Sequence, residues 1–377
     1  MKTKIIEKKE FKKKVAVVVG TRPSIMKMGP IIHELRKRKI DHFFIHAGQH
    51  YSPNLALELM KDLNLPKPKY WLTNIKNFKL HGAQTAGMLK GIEQILIKEK
   101  PRVVLVCADA NFNLAGALAA RKLGMVLGHV ESGLRSNDWR MPEEHNRIMI
   151  DHISDYLLAP TKESVKNLKE DNVKGKIVLS GNTIVDAVIE NVKIADKKSK
   201  ILDRYKLEPR KYFVLTCHRE ENVDHKNSLH DIVRGVKKVC QEHSETVVYA
   251  IHPRTKKMLK HFGLWKEIKA IKGLKIIEPP AYLDFLKLMK YSRLIITDAG
   301  GLQEEGCILK IPCVTLRENT ERPETIKIGS NTIAGTDPTR ISKAVNKMLK
   351  VAPNWKNPFG DGRASKKIVD AIINELK

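Results

Sequence analysis

Long apolar runs are missing from this 377-residue chain. No stretch approaches the roughly 20 consecutive apolar residues that a membrane-spanning helix needs, so insertion into a membrane by such a helix is not expected. The opening segment, MKTKIIEKKEFKKK, is basic but has neither an apolar core nor a small-residue cleavage site. That excludes a secretory signal and makes a cytoplasmic location the expectation. Cysteine is scarce as well: Cys107, Cys217, Cys240, Cys307 and Cys313 are odd in number and form no Cys-x-x-Cys pair. A disulfide framework and a zinc knuckle are both excluded on that ground. Aromatic residues make up only 6% of the chain, and acids are outnumbered by bases, 42 to 69, for a net charge of +27. Such a charge would suit nucleic acid. However, no basic run is interleaved with aromatics, and the lysines are spread over many helix faces, often near Glu or Asp. The charge reads as a lysine-rich solvated surface of the kind found in heat-adapted proteins, and no nucleic-acid partner is expected. Part of it can still attract an anionic substrate. Repeats of 20–50 residues are absent, and low complexity is confined to the N-terminus.

What is present is a regular alternation. Short β-rich runs at 15–19, 43–46, 103–106, 125–130, 156–159 and 177–179 alternate with helical patterns at 31–38, 82–97, 114–122 and 162–170. The rhythm resumes with strands at 212–216, 246–251, 275–277, 294–297 and 313–316. This is an α/β protein with parallel sheets covered on both faces, long enough for two domains. The charged, strand-free stretch 190–210 is where the halves are expected to join. The expected boundaries are 1–188 for the first domain, completed by a C-terminal helix over 364–377, and 189–363 for the second. That last helix follows a loop rich in Pro, Gly and Asn, and could return across the hinge.

Polar and glycine clusters come directly after strands: GTRP, AGQH, AD and HVESGLRS in the first half, CHREEN, HPRT and DAGG in the second. In open α/β sheets ligands bind outside the carboxyl ends of the strands. The segment 297–324 is the most telling. A strand ends at Asp298, the pair Gly300-Gly301 follows, and a helix opens at Leu302. Glycines let a phosphate approach the backbone, and the N–H groups of a helix N-terminus point at the anion. Glu304 and Glu305 sit in the first turn, where a carboxylate can grip a ribose diol. A nucleotide diphosphate is therefore the expected ligand. Arg22 ends the first strand motif, with Pro23 suited to a first helical turn, and its guanidinium can fork onto a phosphate; Lys27 lies about one turn later. Arg322 adds further positive charge, with Glu321 and Glu324 to restrain it.

Asp109, Glu131 and Glu143 bring three carboxylates to strand ends of one domain. Gathering acids in a cleft raises the pKa of one of them and provides a general acid or base. The alternative is a structural ion pair of Glu143 or Glu144 with Arg135 or Arg147. No closely spaced His/Asp pattern points to a metal. His218 and His252 stand at strand ends of the second half, where an imidazole can donate to a leaving phosphate oxygen. Phe285, at helical spacing in YLDFLKLM, reads as a core residue.

Taken together, GTRPSIMKMGP, AGQH, HVESGLRSND, MPEEHNR, GNTIVDA, CHREEN, HPRT, DAGGLQEE and RENTERPE resemble the non-hydrolysing UDP-N-acetylglucosamine 2-epimerases, from about Val15 to the C-terminus. The resemblance implies two Rossmann-like domains around a cleft, the glycosyltransferase-B architecture, with a C-terminal helix crossing back to the first domain. It implies interconversion of UDP-N-acetylglucosamine and UDP-N-acetylmannosamine through elimination of UDP to 2-acetamidoglucal, with neither metal nor NAD. By motif match, Asp109, Glu131 and Glu143 take acid/base roles at carbon 2, and His218 assists departure of UDP. Arg22, Gly300 and Gly301 hold the diphosphate, Glu305 the ribose and Phe285 the uracil, against the core reading of that residue. A homodimer and a place in surface polysaccharide biosynthesis are implied too. Three positions depart from the family pattern: Ala299 replaces a serine, Ser24 a glutamate and Glu220 an arginine. Some members bind a second substrate molecule as activator near the segments matching AGQH and CHREEN. Gln49 and His50 are kept here, but Glu220 implies weak or altered activation. The competing readings are a hydrolysing epimerase releasing N-acetylmannosamine and UDP, a UDP-sugar transferase of the same architecture, and, from charge alone, a nucleic-acid binder.

Overall fold

The computed structural model describes residues 10–48, 53–73, 75, 78 and 80–377. They form two units, 1–187 with 359–377 and 188–358. The helix Thr183–Lys198 runs through the division.

The first unit holds seven parallel strands: β1 (Lys12–Val19), β2 (Asp41–His46), β3 (Tyr70–Trp71), β4 (Pro101–Cys107), β5 (Val126–Val130), β6 (Tyr156–Ala159) and β7 (Lys176–Leu179). Their order is β3-β2-β1-β4-β5-β6-β7. The second unit holds six: β8 (Tyr212–Thr216), β9 (Thr246–Ala250), β10 (Leu274–Ile277), β11 (Leu294–Thr297), β12 (Cys313–Thr315) and β13 (Asn331–Ile333), in the order β10-β9-β8-β11-β12-β13. All the pairings are parallel. The central strands are buried on both faces, as in Val15–Val19 and Leu294–Ile296. That is why they read as continuous apolar runs rather than alternating ones. In each sheet the chain order reverses beside the first strand, between β1 and β4 and between β8 and β11. Such a switch point leaves a crevice at the carboxyl edge where diverging loops expose backbone groups to a ligand.

Two helix starts at these edges have identifiable causes. Thr21 caps the helix Arg22–Lys37 by accepting from Ser24 N at 3.4 Å, while the Ser24 hydroxyl accepts from the N–H groups of Gly20 (3.1 Å) and Thr21 (3.0 Å). Ser24 thus completes a capping box, the task a glutamate at the same helix position also performs. A Cβ on Gly20 would lie 2.6 Å from the Phe112 ring, so this turn needs glycine for close helix–strand approach. The C-terminal helix Ala364–Ile372 packs on the helix Arg22–Lys37 of the first unit. Asp186 accepts from the N–H groups of Ala364 (3.1 Å) and Ser365 (2.9 Å), and Arg38 pairs with Asp370 at 2.6 Å. The first of these satisfies donors that a helix N-terminus leaves open. No described helix is long and apolar enough to cross a membrane. All five cysteines are free. Burial pushes their thiols up, Cys313 to about 12.

Candidate active site

On the first unit, Ala108 and Asp109 follow β4, and Glu131 follows β5. Ala108 has φ +65° and Glu131 φ +66°. The left-handed region disfavours side chains bearing Cβ, so both turns are held against a backbone cost, a pattern that gathers at functional sites. The Glu131 carboxylate is buried. It accepts from Lys27 Nζ at 2.6 Å and from Asn182 Nδ2 at 3.1 Å. Lys27, expected beside a phosphate, is therefore paired with a candidate acid. Asp109 is half-buried and its carboxylate receives the Arg147 guanidinium, while its carbonyl accepts from Asn146 Nδ2 at 2.8 Å.

Glu143 and Glu144 open the helix Pro142–Ile153 and face opposite environments. Glu143 is exposed and Glu144 is buried. Glu144 accepts from Ser136 N (2.9 Å), Ser136 Oγ (2.8 Å) and Asn137 N (3.1 Å), and pairs with Arg147 at 3.0 Å. The structural ion pair weighed from the sequence thus exists, and its acid is Glu144. Arg135 turns elsewhere, to Asp151 (2.7 Å) and Asp171 (2.9 Å). Arg22 is the first residue of its helix and half-buried. Gln49 and His50 lie outside the described residues. Just before them His46 is fully buried, stacked on Trp71 at 3.9 Å, and burial pushes its pKa down to about 4.

On the second unit the buried Asp298 organises the switch point. Its Oδ2 accepts from the backbone N–H groups of His218 (2.8 Å) and Arg219 (2.8 Å) and from Asn222 Nδ2 (3.2 Å). Its Oδ1 lies 3.3 Å from His218 Nδ1. Burial opposes ionisation of Asp298, but His218 and these N–H groups outweigh it and hold the carboxyl below its ordinary range. The His218 and His252 rings are 5.3 Å apart, and His252 Nδ1 caps its helix by accepting from Arg254 N at 3.2 Å. Burial, with His218 and Arg254 nearby, lowers the His252 pKa.

Gly300 and Gly301 open the helix Gly300–Ile308. A Cβ on Gly301 would meet no protein atom within 4 Å, and one on Gly300 would lie 3.5 Å from Glu321 Oε2. The side-chain direction at Gly301 is therefore open, at a helix N-terminus whose free N–H groups are the kind that bind an anion. Glu304 and Glu305 are both buried. Arg322 Nε pairs with Glu304 at 2.7 Å and its Nη1 donates to the Glu321 carbonyl at 2.9 Å. The Glu321 carboxylate, expected to restrain Arg322, instead takes both hydrogen bonds of Arg317 Nη1 (3.0 and 2.9 Å). Burial opposes its ionisation, but Arg317 above all, with Arg219 nearby, brings it down to about 2. Phe285 is half-buried on the helix Tyr282–Tyr291, not a core residue. Glu220 pairs with Arg254 at 2.7 Å.

Sequence reasoning gave no role to Arg317 and Asn222 in this unit or to Asn146, Asp151 and Asn182 in the first, although all but Asp151 stand in the motifs RENTERPE, CHREEN, MPEEHNR and GNTIVDA. Asn146, Asn182 and Asn222 reach partners 37 to 94 residues away along the chain, where no spacing signals them, whereas Arg317 meets Glu321 only four residues on.

Comparison with known proteins agrees with this geometry. The family model described as UDP-N-acetylglucosamine 2-epimerase matches residues 33–373. A UDP-N-acetylglucosamine 2-epimerase of Methanococcus maripaludis is 50% identical over 367 residues, covering 97% of this chain and 99% of the relative. One of Methanocaldococcus jannaschii is 50% identical over 359 residues, covering 94% and 98%. The solved structure of Methanocaldococcus jannaschii UDP-GlcNAc 2-epimerase in complex with UDP-GlcNAc and UDP superposes with a TM-score of 0.86 at 49% identity, over 96% of this chain and 99% of that one. With paired parallel α/β units and a match of this length, the chain belongs to the UDP-N-acetylglucosamine 2-epimerase family.

Proposed function

We propose that this protein interconverts UDP-N-acetylglucosamine and UDP-N-acetylmannosamine without hydrolysis, by eliminating UDP and adding it back. The observation that carries this reading is the pair of left-handed turns after β4 and β5, which present Asp109 and Glu131 at one sheet edge, with Glu143 on the neighbouring helix. Transfer of a sugar to an acceptor does not call for such a set of acids; removal and return of a carbon-bound proton does.

In the proposed reaction a carboxylate of this set takes the proton from carbon 2. The electrons of that C–H bond form the double bond between carbons 1 and 2. The bond from carbon 1 to the phosphate oxygen breaks, and UDP leaves with the electron pair. Return of a proton to the opposite face and re-addition of UDP at carbon 1 complete the epimerisation. Negative charge builds on UDP as it leaves, so donors fixed in advance stabilise the transition state. The second unit supplies the N–H groups of Gly300 and Gly301, His218, Arg322 and His252, and the first unit supplies Arg22 as a further phosphate ligand. Glu305 takes the ribose hydroxyls and Phe285 stacks on the uracil. Lys27, bonded to Glu131, keeps that carboxylate in place and offsets its charge.

Incubation of UDP-N-acetylglucosamine with the purified protein, followed by chromatography, tests the reading. UDP-N-acetylmannosamine is the expected product. Release of free N-acetylmannosamine with UDP would identify a hydrolysing enzyme instead.

A further inference from the structure

Both ring nitrogens of His129 face hydrogen-bond acceptors. The residue lies in β5 and is fully buried. Its Nδ1 is 2.7 Å from Asp151 Oδ1 and its Nε2 is 3.1 Å from the carbonyl oxygen of Ala108. A carbonyl and an ionised carboxylate only accept, so a ring satisfying both donates from both nitrogens, the state of an imidazolium. Asp151 is fully buried too. Burial opposes its ionisation, but His129 and Arg135 outweigh it and hold the carboxyl below its ordinary range. Its other oxygen accepts from Gly133 N at 3.1 Å and Arg135 Nη2 at 2.7 Å, and Arg135 Nε continues to Asp171 at 2.9 Å.

The two ends of this pair grip the two turns that carry the acids. Ala108, whose carbonyl His129 holds, has φ +65° and immediately precedes Asp109. Gly133, whose N–H Asp151 holds, follows by two residues Glu131, with φ +66°. Left-handed non-glycine residues persist only where surrounding contacts over-determine them. We infer that His129 and Asp151 are positioning residues, a buried charged clamp that fixes the turns after β4 and β5 together and so sets the geometry of Asp109 and Glu131 for proton transfer at carbon 2. The inference rests on the reading of Asp109 and Glu131 as the proton-handling acids. A bare hydrophobic core would bury the same strands, but it would not fasten their carboxyl-end turns.

Two measurements on the full chain test it. In proton–nitrogen NMR of the labelled protein at neutral pH, the His129 ring, assigned by its loss in His129→Gln, is expected to be protonated at both nitrogens. One bare ring nitrogen would overturn the clamp. In kinetics, His129→Gln and Asp151→Asn are each expected to lower kcat by roughly ten- to hundredfold, the scale on which misplaced catalytic groups act. KM and UDP affinity should stay near wild type, and the double variant should be little worse than the worse single one. An unchanged kcat per folded molecule, or a loss that tracks UDP affinity, contradicts the inference. Should the variants fail to fold, the spectrum of the wild type still decides. Should the wild type not exchange the carbon-2 proton, the roles given to Asp109 and Glu131 fall, whereas the ring protonation still reports on the clamp itself.

Discussion

Glu131→Gln is expected to lower kcat by ~100- to 10,000-fold, the contribution typical of a positioned acid or base, with UDP affinity unchanged. The substitution removes charge and basicity but little volume. Asn182 Nδ2 still finds the side-chain oxygen it now meets at 3.1 Å. Lys27, 2.6 Å from the carboxylate, is left facing a neutral amide, so a stability loss of about 1–3 kcal/mol is expected from the broken pair. The comparison of folded fraction with turnover separates the two roles. If Glu131 served only as Lys27's structural partner, the melting temperature would fall and the turnover of the folded protein would stand. Loss of turnover with UDP still bound places Glu131 in the proton transfer.

Asp298→Asn should have the second large effect, on the nucleotide side. The Asp298 carboxylate takes three hydrogen bonds through Oδ2 and faces His218 through Oδ1. An amide keeps one accepting oxygen and turns a donor toward groups that themselves donate. His218 then loses the partner that orients its ring, and ~100- to 10,000-fold in kcat is expected to go with it. The pH dependence has a definite sign. The Asp298 carboxyl is depressed by folding, so it contributes stability above the ordinary carboxylate range that is lost as pH falls below it. The variant lacks that part of the acid limb. Unfolding midpoints of the two proteins should therefore differ most near neutral pH and draw together in acid. A variant with wild-type turnover would remove His218 from the departure of UDP.

Most of the fold was legible because parallel strands buried on both faces write themselves as apolar runs. The edge strands β3 and β13 were not read, being only two and three residues long. The first helix reads as starting at the Pro23 turn, with its helical pattern only at 31–38; it runs unbroken from Arg22 to Lys37 and carries Pro30 inside it. Its capping box and its buried face, from Ser24 through Leu35, outweigh one missing N–H. The site was legible for a related reason. Parallel sheets put their functional loops at one edge, so every cluster after a strand is a candidate. What the sequence concealed is who holds whom. Lys27 and Glu131 are 104 residues apart, and His218 and Asp298 are separated by 80. Only the order of strands in each sheet brings them together. Arg317 shows both ranges: it reaches Glu221 across 96 residues, and it takes the carboxylate of Glu321, four residues on, which was expected to restrain the adjacent Arg322.

Proton NMR of UDP-N-acetylglucosamine incubated with the protein in heavy water tests the elimination route most directly. The account predicts UDP-N-acetylmannosamine carrying deuterium at carbon 2, with deuterium also entering the recovered substrate as the reaction runs backward. UDP-N-acetylmannosamine that keeps its original carbon-2 hydrogen would contradict it, because the proton would then never have reached a carboxylate that exchanges with solvent.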